Sequence, residues 1–534
     1  MKRKLLTALL CGALMLTSLA GCGQGAGNQS GTSAGGESAV KDELVFVNYR
    51  DIRDLNPHLY AGEMYAQSIL YDTLVSNTSE GYVGCLAEDW TISEDGRTYT
   101  FNIRDGVTFS DGTPCDANAI LANFNAILEN RERHTWLEMM NLLVGVSAPD
   151  DDTFVIEMSE PYYPMLTELA CIRPFAMISP NCMIDGSTKD GVNGYIGTGP
   201  YVLTDFVTDE YAVFERNENY WGEKPAIRKI TVKVIPDNQT RIMALENGEI
   251  DLIFGKNMLD ADAISQYVDS DKFTVGLSDP TSTRHIVLNT THDILGDKSV
   301  RQALQHATNR QAISEGIFYG LEPAADTLYS TTVPYCDVDL KPYAYDADEA
   351  ARLLDEAGWT MGSDGVRAKD GQKLALDLLY NSDSVTEKTI SEYLQSEYLK
   401  LGISLNIHGE EEQSYRDNMK AGNFDMVFNI CWGMPYDPQS SLAAMRAPVY
   451  GDYAAQQGLE DKAEIDQAIT DILTSTDETK RQELYTFVLT RLHEDAVYIP
   501  LTFETNKALY TSDLKGVHFG TDQYDVDFAS MYFA

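Results

Sequence analysis

Val497-Tyr-Ile-Pro-Leu-Thr-Phe503 is a β-type run placed directly after two helical segments, Asp461–Ser475 and Asp477–His493. It returns the chain to strand character after a long helix-rich excursion, and the turn-rich tail to Ala534 continues that return. Upstream, Asp425–Ile430 reads as a buried strand, and Ile403, Leu405 and Ile407 alternate as another. The excursion itself is predicted to open with one long helix over Asp297–Tyr319. A second helix begins at Asp346, with Glu349 in capping-box register, and ends at Gly358; a third opens at Ser384 with Glu387 and stops at Gly402. Before Asp297 the chain is β-rich, with strands at Leu44–Val47, Thr98–Phe109 (interrupted by a turn), Thr153–Met158, Tyr201–Leu203, Tyr211–Glu215, Ile230–Ile235 and Ile250–Phe254. Helices are expected between them at Gly62–Leu74, Asp116–Asn130 and Asn238–Asn247. A β-rich start, a helical excursion and a β-rich end describe an α/β protein whose first lobe is discontinuous. At least two connections cross between the lobes, which suits a hinge.

The N-terminus carries Lys2, Arg3 and Lys4 and then an apolar run, Leu5–Ala20, too short and wrongly flanked for a membrane anchor. It is expected to be an export signal over residues 1–21. Leu19-Ala20-Gly21-Cys22 resembles the lipobox of bacterial lipoproteins, which makes Cys22 the expected lipid-bearing residue. The Gly/Ser-rich residues that follow, to about position 40, are expected to be a flexible tether. The formal net charge is −42; losing three basic and no acidic residues with the signal moves it to −45. Such a surface excludes nucleic acid as a bulk partner, so contact with a membrane is expected through the anchor. The other six cysteines past Cys22 contain no C-x-x-C pair, which argues against a zinc cluster. Cys171 and Cys182 are the nearest candidates for a single disulfide, with buried free thiols the equal alternative.

Leu169-Ala-Cys-Ile-Arg-Pro-Phe-Ala-Met-Ile178 holds one charge, Arg173, in an apolar run. A buried guanidinium needs a partner, either an internal carboxylate or the carboxylate of a ligand. Arg131, Arg133 and His134 crowd beside Trp136, and the strand Asp425–Ile430 delivers Trp432 and Tyr436 into a loop. Aromatic side chains on a loop at a strand end suit ligand binding as well as loop packing. Ile196-Gly-Thr-Gly-Pro200 lacks the lysine and length of a phosphate-cradling loop and reads as structural. There is no H-E-x-x-H, G-x-S-x-G, Walker or dinucleotide motif, and the eight histidines form no i, i+3 or i, i+4 pair. An enzyme is not expected, and a secreted hydrolase has no positive signature.

Several long motifs carry a resemblance: Leu55-Asn-Pro-His-Leu-Tyr60 with Met64–Ser68, Asn130–Leu137, Tyr162–Pro164 with Arg173-Pro-Phe175, Arg216–Pro225, Trp432–Pro438, Gln456-Gln-Gly458 and Thr490–Tyr498. Through them the chain resembles the extracytoplasmic solute-binding proteins of peptide/nickel-type ABC importers (solute-binding protein family 5), and within them the nickel-binding branch. The resemblance implies a two-lobed periplasmic-binding-protein-like fold with a hinge, its first lobe split into two subdomains. It implies lobe 1 over 41–285 with a subdomain at about 76–204, lobe 2 over 286–497, and a return to lobe 1 over 498–534. It implies a cleft lined by Tyr60, Met64, Arg133, Trp136, Arg173, Trp432 and Tyr436, with Arg173 gripping a chelator carboxylate. The ligand implied is nickel(II) held by histidine or a small carboxylate chelator, with no resident cofactor. Di- or oligopeptides and other metallophore complexes are the alternatives. The implied partners are an ABC permease and its ATPase, and the binding protein is expected to be a monomer. Where that branch places a metal-coordinating histidine, this chain has Tyr450, expected among the ligand-binding residues either in contact with the chelator or filling the space, and no histidine lies between His408 and His493. No direct protein ligand to the metal is therefore assigned.

Overall fold

In the computed structural model, residues 41–534 are described, apart from Ser79, Asn257 and Met434. Cys22 and the stretches expected to be export signal and tether lie outside the described residues. The architecture is a mixed α/β fold built on one ten-stranded sheet. From edge to edge its strands are Tyr201–Val207, Tyr211–Arg216, Lys229–Val234, Glu43–Asn48, Leu252–Phe254, Tyr498–Thr511, Phe273–Leu288, Met426–Ile430, Ala375–Asn381 and Ser404–Glu410. First-half strands thus occupy one side and excursion strands the other. The two central strands belong to both sides. Phe273–Leu277 pairs with Lys507–Thr511 beside Leu252–Phe254, while Arg284–Leu288 pairs with Met426–Ile430. The pairing of these two strands is irregular around Pro280, a residue without an N–H to give the ladder.

The strand Phe273–Leu288 has no counterpart in the sequence reading, and Tyr498–Thr511 runs well beyond the expected Phe503. Both misreadings have one cause. Ser282, Arg284, Thr502, Glu504 and Lys507 are buried on these strands, so the polar residues that normally mark a solvent face here point inward. Arg284 pairs with Glu504, Lys256 with Glu504 at 2.9 Å and Lys507 with Glu322 at 3.2 Å, which compensates the buried charges.

A separate antiparallel sheet of Ala87–Ile92, Thr98–Ile103, Thr153–Met158 and Leu143–Ser147 forms the smaller part of the first half. Helix Ala117–Glu129 packs on it, capped by the Asp116 side chain accepting from the Ala119 N–H. Phe109 is buried but lies outside any strand, so the expected second half of the Thr98–Phe109 hairpin is a loop. Helix Gly62–Leu74 is likewise shorter than expected, covering Met64–Ser68 alone. The single helix expected over Asp297–Tyr319 is two, Lys298–Ala307 and Arg310–Ile317. Thr308 between them is extended and returns its hydroxyl to the Leu304 carbonyl, and Asn309 caps the second helix through Ala312 N–H. The Ile196–Pro200 turn is structural, as read: a Cβ at Gly199 would sit 2.6 Å from the Leu70 carbonyl carbon. Cys171 and Cys182 are both buried free thiols.

The small sheet shares one apolar cluster with Tyr329, Val333, Tyr485 and Leu489 of the excursion. At that junction Arg481 is fully buried, its guanidinium carbon 3.4, 5.0 and 5.7 Å from the rings of Tyr163, Tyr335 and Tyr485. Arg481 donates to the Ile472 carbonyl, and Glu478 accepts from both the Tyr163 and Tyr335 hydroxyls.

Candidate functional site

The apolar run Leu169–Ile178 is buried as its composition demands, with Leu169, Cys171 and Phe175–Ile178 inaccessible or nearly so. It follows the short helix Met165–Leu169 and turns at Ile172–Phe175, which aims Arg173 at the loop after Leu59. There Arg173 Nη1 donates to the Tyr60 carbonyl at 3.0 Å and Nη2 to the Gly62 carbonyl at 2.7 Å. Its Nε is buried without a partner, and no carboxylate pairs with it among the described residues. In place of an internal Asp or Glu, two peptide carbonyls accept from the two terminal nitrogens of Arg173, leaving Nε unpaired and the charge unneutralised. Asp522 and Glu63 act on it only at longer range.

Tyr60 stands at the centre of what gathers there. Its hydroxyl accepts from Trp136 Nε1 at 2.8 Å and meets His134 Nδ1 at 2.7 Å. The Arg133 guanidinium lies 5.8 Å from the Tyr60 ring. Arg133 is exposed on the 3-10 turn Arg131–His134 and forms no ion pair among the described residues. From the excursion side, the Trp136 ring is 6.4 Å from Trp432 and 5.8 Å from Tyr436, both edge-on. Tyr450, at the start of helix Gly451–Gln456, sits 5.7 Å from Trp432. Six of the seven residues expected in the cleft thus form one connected set with Tyr450. Residues 60, 133, 136 and 173 come from the first half, and 432, 436 and 450 from the excursion. The aromatic loop is fixed from behind: Gly433 N–H donates to Asp437 at 2.7 Å, and Gln523 donates to the Trp432 carbonyl at 2.6 Å.

Met64, the seventh, lies beside rather than within this set. It lines an adjoining cavity of about 240 Å³ with Ile172, Pro435, Asp522, Tyr524 and Asp525. Burial pushes Asp522 up to about 7 and raises Asp525 and Asp72, the last despite hydrogen bonds from Trp221 and Thr198. Burial also raises the Tyr436 phenol, with the Cys171 thiol beside it. Asp522, Tyr524 and His134 join the site without being among the residues the sequence expects there. The first two sit in a tail whose only signal was turns; His134 was noted for its neighbours, and the spacing of 60 and 134 carries no hint of contact. Among the described residues, no three His, Cys, Asp or Glu side chains are gathered to hold a metal ion.

Two lobes sharing a central pair of strands, with aromatic groups from both and the guanidinium groups of the first half gathered at one place, have the arrangement of a small-molecule binding protein. The chain belongs to the bacterial extracellular solute-binding proteins, family 5, whose middle region matches residues 81–452. It is 41% identical over 496 residues to the nickel-binding periplasmic protein of Escherichia coli K12, covering 92% of this chain and 94% of that one. Among solved structures it resembles NikA from Brucella suis in complex with Fe(III)-EDTA, with 43% identity and a TM-score of 0.90 over 92% of this chain and all of that one. The dipeptide-binding protein of Escherichia coli K12 is 26% identical over 506 residues, covering 89% of this chain and 91% of that one. Among the described residues no helix is long and apolar enough to cross a membrane.

Proposed function

We propose that this protein is the lipid-anchored solute-binding component of an ABC importer. It captures nickel(II) outside the cell membrane as a chelate with histidine or a small carboxylate, and delivers it as a monomer to a permease driven by a cytoplasmic ATPase. In this reading lobe 1 comprises 41–285 and 498–534, with a subdomain at about 76–204, and lobe 2 comprises 286–497. The observation that carries it is the pairing of two guanidinium groups, Arg133 and Arg173, with an aromatic set and with no carboxylate ion-paired to either among the described residues. Guanidinium groups suit the carboxylates of a chelator, and flat rings suit a planar complex. A metal that arrives already wrapped needs no protein ligand cluster. The 43%-identical neighbour, whose crystal structure holds iron in a polycarboxylate chelator, supports the same class of ligand.

A second reading draws on the cavity beside Met64. Asp72, Asp522 and Asp525 there would suit the ammonium of a di- or oligopeptide. A thermal-shift panel of nickel(II), nickel–histidine, nickel–citrate and a dipeptide library separates the two, since a ligand specific for the folded state raises the melting temperature by mass action. The chelates alone are expected to raise it. Stabilisation by dipeptides and not by chelates would replace the first reading with the second.

A further inference from the structure

The Tyr60 hydroxyl has one hydrogen to give, and its two protein contacts decide where that hydrogen goes. Trp136 Nε1 can only donate, so at 2.8 Å it uses one Tyr60 lone pair. The second contact, His134 Nδ1 at 2.7 Å, runs in either direction according to which ring nitrogen carries the imidazole hydrogen. His134 is fully buried, and burial with the nearby Arg133 charge lowers it to about 4, so a neutral ring with a single N–H is present at neutral pH.

The other nitrogen of the ring settles the choice. His134 Nε2 is buried and has no hydrogen-bond partner among the described residues. A hydrogen on Nε2 would be an orphaned buried N–H, which native structures rarely tolerate, and it would force the Tyr60 hydrogen onto Nδ1. A hydrogen on Nδ1 leaves only a lone pair at Nε2 and donates to Tyr60. Tyr60 then receives two hydrogen bonds and keeps its own hydrogen. Burial pushes the Tyr60 phenol up to about 12, so that hydrogen is retained across the neutral range.

We propose that His134 is a positioning residue which, as the Nδ1–H tautomer, turns the Tyr60 hydroxyl into a hydrogen-bond donor for an acceptor oxygen of the bound molecule. This deepens the chelate reading and rests on it for the identity of that oxygen as a carboxylate. With Arg133 and Arg173, Tyr60 would make the cleft all-donor where a ligand anion sits. The reverse tautomer would present an acceptor and repel the same oxygen.

The tautomer is measured directly on the ligand-free full-length protein. Long-range proton–nitrogen correlation of ¹⁵N-histidine-labelled protein distinguishes the two forms, with the His134 signals assigned by their loss in His134→Asn. Protonation at Nδ1 is expected, and protonation at Nε2 overturns the proposal without any variant having to bind. Calorimetric titration with nickel–histidine then reads the consequence. Tyr60→Phe and His134→Leu are each expected to weaken binding about tenfold, and the double variant no further, because both remove one donated hydrogen bond. His134→Asn, which places an amide nitrogen near the position of Nδ1, is expected to stay within about threefold of the parent protein. A His134→Leu protein that binds as the parent does, while Tyr60→Phe does not, overturns the positioning role. Failure of the parent protein to take up nickel–histidine removes the chelate reading instead, and the nitrogen spectrum still decides the tautomer.

Discussion

Around Arg481, three tyrosine rings and a carbonyl enclose a guanidinium with no accessible surface; in the aromatic set around Tyr60, Trp136 stays 38% exposed, and Arg133 and Arg173 have no carboxylate partner among the described residues. Both assemblies join the first half of the chain to the excursion, through Tyr163 in one case and through Tyr60 and Trp136 in the other. The residue types are nearly the same. What separates a packed junction from a binding cleft is whether a protein side chain has been placed over the cation. Tyr163 covers Arg481 at 3.4 Å, and its hydroxyl is held by Glu478. Among the described residues no equivalent ring is laid over Arg173, whose fixed partners are the carbonyls of Tyr60 and Gly62. Arginine beside aromatics is therefore not a site signature in itself; an arginine left uncovered is.

Substitution should divide the two assemblies cleanly. Arg481→Ala empties a fully enclosed space under three rings and is expected to cost about 4 kcal/mol of unfolding free energy in urea, as large buried truncations do. A loss under about 1 kcal/mol would mean the junction tolerates an open cavity and would erase the contrast. Arg173→Ala is expected to do the opposite, costing stability only about 1–2 kcal/mol but weakening nickel–histidine binding about 100-fold, equivalent to about 2.8 kcal/mol. Calorimetry and urea melts on the same two proteins place them on opposite axes.

A pH series sharpens the electrostatic half of the contrast. Asp522 faces the cavity beside the cleft, and burial holds it near 7, so it ionises as pH rises from 6 to 8. A new negative charge near Arg173 should lower affinity for an anionic chelate several-fold over that interval, on the order of 1 kcal/mol. Because the folded-state value lies above the ordinary carboxyl value, the same group contributes stability below about pH 4 that declines as pH rises toward 7. Asp522→Asn is expected to flatten the difference in affinity between pH 6 and 8; an unchanged slope would assign it to the chelate. Tyr163→Phe, which keeps the ring over Arg481 and removes the hydroxyl from Glu478, is expected to cost about 0.5–1 kcal/mol in a urea melt.

Much of this was legible in the chain because it is local. Asp116, Asp346, Ser384 and Asp477 read as helix starts, and each side chain accepts a hydrogen bond from its own first turn. The apolar run around Arg173 announced a buried, costly charge. The Trp432–Pro438 loop follows a strand that its apolar content marked as buried. What was illegible depends on residues distant in sequence. The pairing of Arg284 and Lys256 with Glu504 turns polar positions inward and hides the hinge strands from any alternation test. The Tyr60–His134 contact, the lid of Tyr163 over Arg481 and the arrival of Asp522 beside Met64 each require the fold before they exist. Arg173 is the instructive case. The sequence demanded a partner for it, but backbone carbonyls carry no residue name, so two of its donors were satisfied by groups that no reading of side chains would select.

The central claim is that the uncovered guanidinium groups recognise the chelator and that the metal follows. Isothermal titration of the parent protein and Arg173→Ala with nickel(II) alone and with nickel–histidine tests it most directly. Tight binding of the chelate, weak binding of the bare ion and loss of the former in Arg173→Ala are the results expected. Tight binding of bare nickel(II), undiminished by Arg173→Ala, would contradict the account.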